Sequence, residues 1–253
     1  EGEELVGASI FDPADPLRQQ AQSCIKADAP EDHAIGAMLG MLCGDAIGAR
    51  VEFMAVRYGA KTLTGVGETR GGSFQLQPGQ WTDDSSMGLC LADSILSRGG
   101  EWDAHDCMHR FLAWWHCGYD NAFGRDESRM SRHSVGLGGN ISGSFSYYAR
   151  DSSHPLTIAG DKETSGNGSV MRLAAVPVRW WRPEERTKCD EIARQSSRTT
   201  HQGDEAEGCC ALLSRVIARG IAGEKVRDVL STVEQGFDMT NSRASLKALA
   251  MSQ

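Results

Sequence analysis

The amino-acid sequence predicts an all-α fold, built as one domain behind a polar leader. Apolar residues recur three and four positions apart through most of its 253 residues, and strand-type alternation is scarce. Proline and glycine fall where such stretches begin and end. Long glycine-rich connections separate the helices, and connections of that length in a compact domain commonly carry a site.

Residues 1–29 form a mixed polar leader with Pro13 and Pro16, expected on the surface or partly disordered, with a short helix over 15–24. Pro30 opens the first helix of the domain spanning 30–253, and Glu31 and Asp32 suit its positive end. That helix carries Gly36, Gly40, Gly44 and Gly48 in one stripe, which predicts either a tight crossing by another backbone or the approach of a ligand. Residues 55–81 read as irregular, with room for a short hairpin. Thr82 or Asp83 caps a helix with Met87, Leu91 and Ile95 inward, stopped by Gly99 and Gly100. A helix over 102–117 follows, its buried side formed by Cys107, Phe111, Trp114 and Trp115. After a loop over 118–140 comes a short helix over 141–150, then a second long loop leading into the apolar "VMRLAAVPVRWW". Pro183 begins a helix reaching about residue 197, and a further helix shows Ala206, Cys210, Leu213 and Ile217 on one face. A last helix over 224–235 turns Val226, Val229 and Val233 inward.

Composition removes several classes of function. Thirty-four acidic against 26 basic residues give a net charge of -8, which argues against nucleic acid or an anionic membrane as the main partner. A nucleotide ligand remains open, because exposed backbone N–H groups bind phosphate on an acidic protein too. The longest apolar run, "AIGAMLGMLCG", ends at Asp45 and falls well short of the roughly 20 residues a membrane span needs. The eight cysteines contain no CxxC pair and mostly sit in apolar helical patterns. They read as buried free thiols of the cytoplasm or another reducing compartment, including an organelle after transit-peptide removal, and not as disulfides or zinc ligands.

Three loop segments carry candidate chemistry. Thr82, Asp83 and Asp84 put hard oxygen donors, suited to magnesium or calcium, at a helix start; the same residues also make an acidic N-cap. "SVGLGGNISG" and "SGNGSVMR" bare their backbone N–H groups as a phosphate cradle would, or form two flexible turns. No βαβ unit surrounds Gly136 and Gly138, so a Rossmann reading fails. In "SSRTTHQGDEA", His201 follows two threonines and is placed either to meet a sugar or to serve structure.

Taken in order, "GMLCGDAIGARVE", "WTDDSSM", "GGNISGS", "SGNGSVMRLAAVPV" and "SSRTTH" resemble the ADP-ribosylglycohydrolase family, including its dinitrogenase-reductase-activating branch. The likeness runs from about Ile35 to Ile217. It implies an orthogonal multi-helix bundle with long functional loops and a cleft for two Mg²⁺ ions. It also implies hydrolysis of the glycosidic bond between ADP-ribose and a modified protein side chain, commonly arginine. By this resemblance Thr82, Asp83 and Asp84 would hold metal, and Glu52, Asp83 and Asp84 would be catalytic. Gly136, Gly138, Gly139, Asn140 and Ile141 would hold the diphosphate, Asn167 and Gly168 would meet the distal ribose, and His201 would line the same cleft.

The family carries a second metal cluster, Asp-x-Asp-Thr, near its C-terminus. Beyond His201 the aspartates here are Asp204, Asp228 and Asp238, without that spacing, and the domain is expected to be C-terminally incomplete relative to the family. Ser85 replaces the family's usual threonine and keeps the hydroxyl. Three readings follow: a magnesium-dependent hydrolase of ADP-ribosylated protein; a catalytically degenerate subunit whose C-terminal face is covered by a protein partner; and a module that senses ADP-ribose without cutting.

Overall fold

The computed structural model describes residues 19, 23, 25–53, 70–124, 126–159 and 166–232. Of the leader helix expected over 15–24 only Gln19 and Ser23 are described, both helical; the rest of it, most of the irregular region after Phe53, and Val233 lie outside these residues. Among the described residues eight α-helices of the domain follow one another: α1 (Pro30–Gly48), α2 (Asp83–Ser97), α3 (Ala104–Cys117), α4 (Gly139–Arg150), α5 (Ala175–Arg179), α6 (Arg186–Arg198), α7 (Asp204–Ile221) and α8 (Val226–Ser231). A 3₁₀ turn, Pro183–Glu185, leads into α6. Among the described residues there is no strand, and a lone antiparallel bridge between Gly71 and Leu76 closes a tight turn in the region read as a hairpin.

The core is where helical periodicity is clearest. Met87, Leu91 and Ile95 of α2 pack with Cys107, Met108, Phe111 and Trp114 of α3, and α5 adds Ala175 and Val176 beneath them. Asp103 caps α3 by accepting from the N–H groups of His105 and Asp106, and Gly118 ends it in the left-handed conformation (φ 75°). Trp115 is only partly buried, because a neighbour on a helix points about 100° away and Trp114 already fills the core side. α6 lies along α7, which turns Gly208, Ala211, Ser214 and Ala218 inward and lets the helices come close. Leu213 and Ile217, expected on that face, are displaced to partial exposure.

Of the two readings of α1, the tight crossing is the one the structure removes. α1 buries no residue, and the space where a side chain would project from Gly36, Gly40, Gly44 or Gly48 is open, so no described backbone crosses the glycine stripe. The helix is apolar on every side, so its pattern specified no face, and Ile35, Leu39 and Ile47 stay exposed. Val226 is also exposed (72 %), since the short α8 turns only Val229 inward. The seven described cysteines are unpaired; Cys90, Cys107, Cys189 and Cys210 are buried, whereas Cys43 and Cys117 are exposed, contrary to their reading as buried thiols.

Candidate functional site

A cleft of about 640 Å³ opens where α1 ends, where α2 and α4 begin, and where the 166–168 turn meets the end of α6. Glu52, Thr82, Asp83, Asp84, Gly136, Gly138, Gly139, Asn140, Ile141, Asn167, Gly168 and His201 all line it. Every residue nominated from sequence therefore stands on one wall or another of a single cavity. Gly44 and Gly48, from the stripe read as open to a ligand, also line it, and Asp45, Ala49, Phe53, Gly166 and Met171, which had not been nominated, complete the lining.

Asp45 organises the acidic wall. Its carboxylate accepts from the Thr82 N–H (3.0 Å), the Thr82 hydroxyl (2.8 Å) and the Ser85 N–H (2.9 Å). Thr82 occupies the N-cap of α2 without capping it by its own side chain, so a carboxylate 37 positions upstream satisfies the helix start instead. Its signal in sequence was the single charge that interrupts the apolar run, followed by "AIG" within the segment that carried the resemblance.

This arrangement frees Asp83 and Asp84 to face the cleft with their charges uncompensated. Burial, then Asp84, Glu52 and Asp45, push the Asp83 carboxyl up to about 8, against the lowering effect of its backbone hydrogen bond. Asp84 is pushed up to about 6 by burial and by Asp45. Glu52 is raised as well, by burial and then by Asp84 and Asp45. Among the described residues none of the three carboxylates makes an ion pair, and the buried Arg172 interacts with Asp83 only at longer range. Carboxylate and hydroxyl oxygens with surplus negative charge suit a hard divalent cation in kind. Among the described residues, however, no three Asp, Glu, His or Cys side chains converge as a metal cage, so the cleft supplies oxygen donors from one side.

The neighbouring wall is backbone. Gly138 is the N-cap of α4 and offers no side-chain acceptor, so the first turn, Gly139 to Ile141, begins two residues earlier than its sequence suggested and leaves its N–H groups uncapped at the cavity. Positive charge from the helix dipole accumulates there. Gly136 has φ +90°, and a methyl group at this position would strike the Asp83 carboxylate; only glycine lets this loop lie against the acidic wall.

His201 closes the cleft from α6. It is 2 % exposed, its Nδ1 lies 2.8 Å from the Thr200 hydroxyl, and burial followed by nearby Arg172 drives its pKa down to about 3, so the ring is neutral. Arg172 is itself fully buried, stacked over Phe111 at 4.5 Å, with Nη2 donating to Thr200 Oγ1 (2.7 Å), Thr199 Oγ1 (3.2 Å) and the Ser196 carbonyl (3.1 Å). No pattern in the sequence marked it: its partners lie 24 to 28 positions downstream.

Known proteins resemble this chain over most of its length. The family profile described as ADP-ribosylglycohydrolase matches residues 26–252. The ADP-ribosylarginine hydrolase Tri1 of Pseudomonas putida (strain GB-1) is 31 % identical over 243 residues, covering 87 % of this chain and 56 % of that protein. The ADP-ribosyl-dinitrogen reductase glycohydrolase of Rhodospirillum rubrum is 29 % identical over 203 residues, covering 78 % and 60 %. The chain thus spans little more than half the length of these two relatives. A solved structure described as an ADP-ribosylglycohydrolase-related protein complex superposes with a TM-score of 0.64 at 30 % identity, covering 83 % of this chain and 63 % of that one. With a helical architecture, an acidic wall beside a glycine cradle, and a profile match across most of its length, the chain belongs to the ADP-ribosylglycohydrolase family.

Proposed function

We propose that this protein hydrolyses the glycosidic bond between ADP-ribose and a modified protein side chain, with arginine as the first candidate, in a magnesium-dependent reaction. The observation that supports this best is the meeting of two walls in one cavity: carboxylates without an ion-pair partner among the described residues, and the uncapped N–H groups of a helix start. A diphosphate bound at the start of α4 would gain from the N–H groups and the helix dipole, and would set the attached ribose against the acidic wall.

In this reading Gly136, Gly138, Gly139, Asn140 and Ile141 seat the diphosphate, and Asn167, Gly168 and His201 meet ribose hydroxyls. Thr82, Asp83 and Asp84 would hold Mg²⁺, which when bound supplies Lewis-acid polarisation of ribose oxygens and neutralises the acidic wall. Glu52, or a carboxylate of the 83/84 pair, takes a proton from water as its oxygen bonds to the anomeric carbon. The C–N bond breaks in the same step, and the carboxyl group passes that proton on to the departing guanidine nitrogen.

A second reading keeps the fold without the chemistry, as a binding or structural subunit. The lack of a converged metal cage among the described residues and the exposed apolar residues Ile35, Leu39, Ile47, Val226 and Leu230 favour it. The full protein, incubated with an ADP-ribosylated arginine protein, is expected to release ADP-ribose only when Mg²⁺ is present. Asp83→Ala should lower that rate by about 10³-fold. Wild-type rates in the variant, or release without any divalent ion, would remove the hydrolase assignment.

A further inference from the structure

We infer that Arg172 and Thr200 are positioning residues that fix His201 as its Nε2–H tautomer, making it a hydrogen-bond donor to a ligand oxygen in the cleft. Arginine has donors only, so the 2.7 Å contact from Arg172 Nη2 uses Thr200 Oγ1 as an acceptor. The single hydroxyl proton of Thr200 must then point elsewhere, and His201 Nδ1 lies 2.8 Å away. If Nδ1 carried the proton instead, the Thr200 hydroxyl hydrogen would be stranded in a site where Thr200 is 0 % exposed. The arrangement therefore selects a bare Nδ1 and a protonated Nε2.

The rest of the geometry holds the relay still and aims it. Arg172 is clamped by Ser196, Thr199 and Thr200 at the end of α6 and by the face of Phe111, so its fork has one orientation. Among the described residues His201 makes no side-chain hydrogen bond beyond Nδ1, and its Nε2 edge lies beside Gly168, where an added methyl would come within 3.3 Å of it. Gly168 and His201 line the cavity together. A neutral ring held in this way cannot serve as a base at Nε2. It recognises an acceptor, which in this cleft is a ribose hydroxyl or phosphate oxygen. The identity of that oxygen rests on the ADP-ribose reading; the tautomer does not.

Long-range ¹H–¹⁵N spectra of the uniformly labelled full chain read the tautomer directly, with the His201 signals identified by their loss in His201→Gln. The expected result between pH 6 and 8 is a protonated, pyrrole-type Nε2 and a pyridine-type Nδ1. Thr200→Val should remove the hydrogen bond to Nδ1 and so move the Nδ1 ¹⁵N signal, and Thr200→Ser should restore the wild-type pattern, with thermal unfolding checking that both variants fold. An Nδ1–H or doubly protonated ring in the wild type, or an unchanged pattern in Thr200→Val, overturns the relay. In turnover, Thr200→Val should raise KM for the ADP-ribosylated substrate about 10-fold while kcat stays near wild type; an unchanged KM overturns the donor role. ADP-ribose titrated into the wild type separates the two ideas: no binding defeats the functional reading, while the tautomer still stands or falls on the spectra.

Discussion

Two acidic sites in this molecule use the same residue type to opposite ends. Asp126, 7 % exposed, receives the Ser128 hydroxyl (2.6 Å), Gln80 Nε2 (2.9 Å), Gln77 Nε2 (3.1 Å) and the Arg70 guanidinium (2.9 Å). The Ser128 hydrogen bond, with help from Gln80 and Arg70, holds its carboxyl well below the usual range. Asp83, equally buried at 7 %, has no ion-pair partner among the described residues, faces Asp84, Glu52 and Asp45, and is pushed up to about 8. The knot around Asp126 ties the 70–80 turn to the 121–129 loop and is complete within the protein. The cleft wall is incomplete without something positive. The lesson is that burial of a carboxylate says little; whether its charge is answered inside the fold separates structure from function.

The largest effect should separate the sites by activity. Asp83→Ala is expected to lower ADP-ribose release by about 10³-fold with the helical circular dichroism retained, whereas Asp126→Asn should leave the rate within about twofold. A comparable loss of rate in both variants would dissolve the contrast.

Stability should move in opposite directions. In the absence of divalent ions at pH 8, Asp83→Asn should raise the thermal midpoint by removing like-charge repulsion, and Asp126→Asn should lower it by leaving Arg70 and its companions partly unanswered. Asp83 binds its proton more tightly folded than unfolded, so the stability it contributes is complete below its ordinary value of 3.8 and is lost as pH rises towards about 8. Asp84 acts in the same direction up to about 6. Asp126 works the other way, its contribution being present above 3.8 and lost only on strong acidification. Between pH 4 and 8 the metal-free midpoint should therefore fall, more gently in Asp83→Asn, and Mg²⁺ should raise it more at pH 8 than at pH 5. Melting curves in EDTA and in Mg²⁺ check all three statements; a flat wild-type profile over that range contradicts the cleft side of the comparison.

What could be read from sequence follows the same physical division. The inward set Met87, Leu91 and Ile95 was legible because α2 is apolar on one side, whereas α1, apolar all round, gave no clue that Ile35 and Leu39 face outward. The start of α4 was read two residues late because glycine discourages a helix assignment, yet Gly139 belongs to its first turn. Thr82, Asp83 and His201 were visible as local clusters. Asp45 was not recognised as a site residue because its role depends on meeting Thr82 from 37 positions away, and Arg172 for a similar reason. Local chemistry is written in short segments; long-range answers to charge are not.

The smallest effect tests the Asp126 side from within. Gln80 and Ser128 both donate to this carboxylate, but Gln80 is buried (8 % exposed) and also accepts from the Gln77 N–H at 2.8 Å, whereas Ser128 is exposed. Water can replace a lost donor at the surface and cannot do so readily inside. Gln80→Ala should therefore lower stability by about 1 kcal/mol and Ser128→Ala by less, as read from urea midpoints, even though Ser128 makes the shorter hydrogen bond. Both should keep wild-type rates of ADP-ribose release. If Ser128→Ala proves the more damaging, the knot is held by its short contact and not by its buried one, and Asp126 resembles the exposed edge of a loop more than the buried counterpart of Asp83.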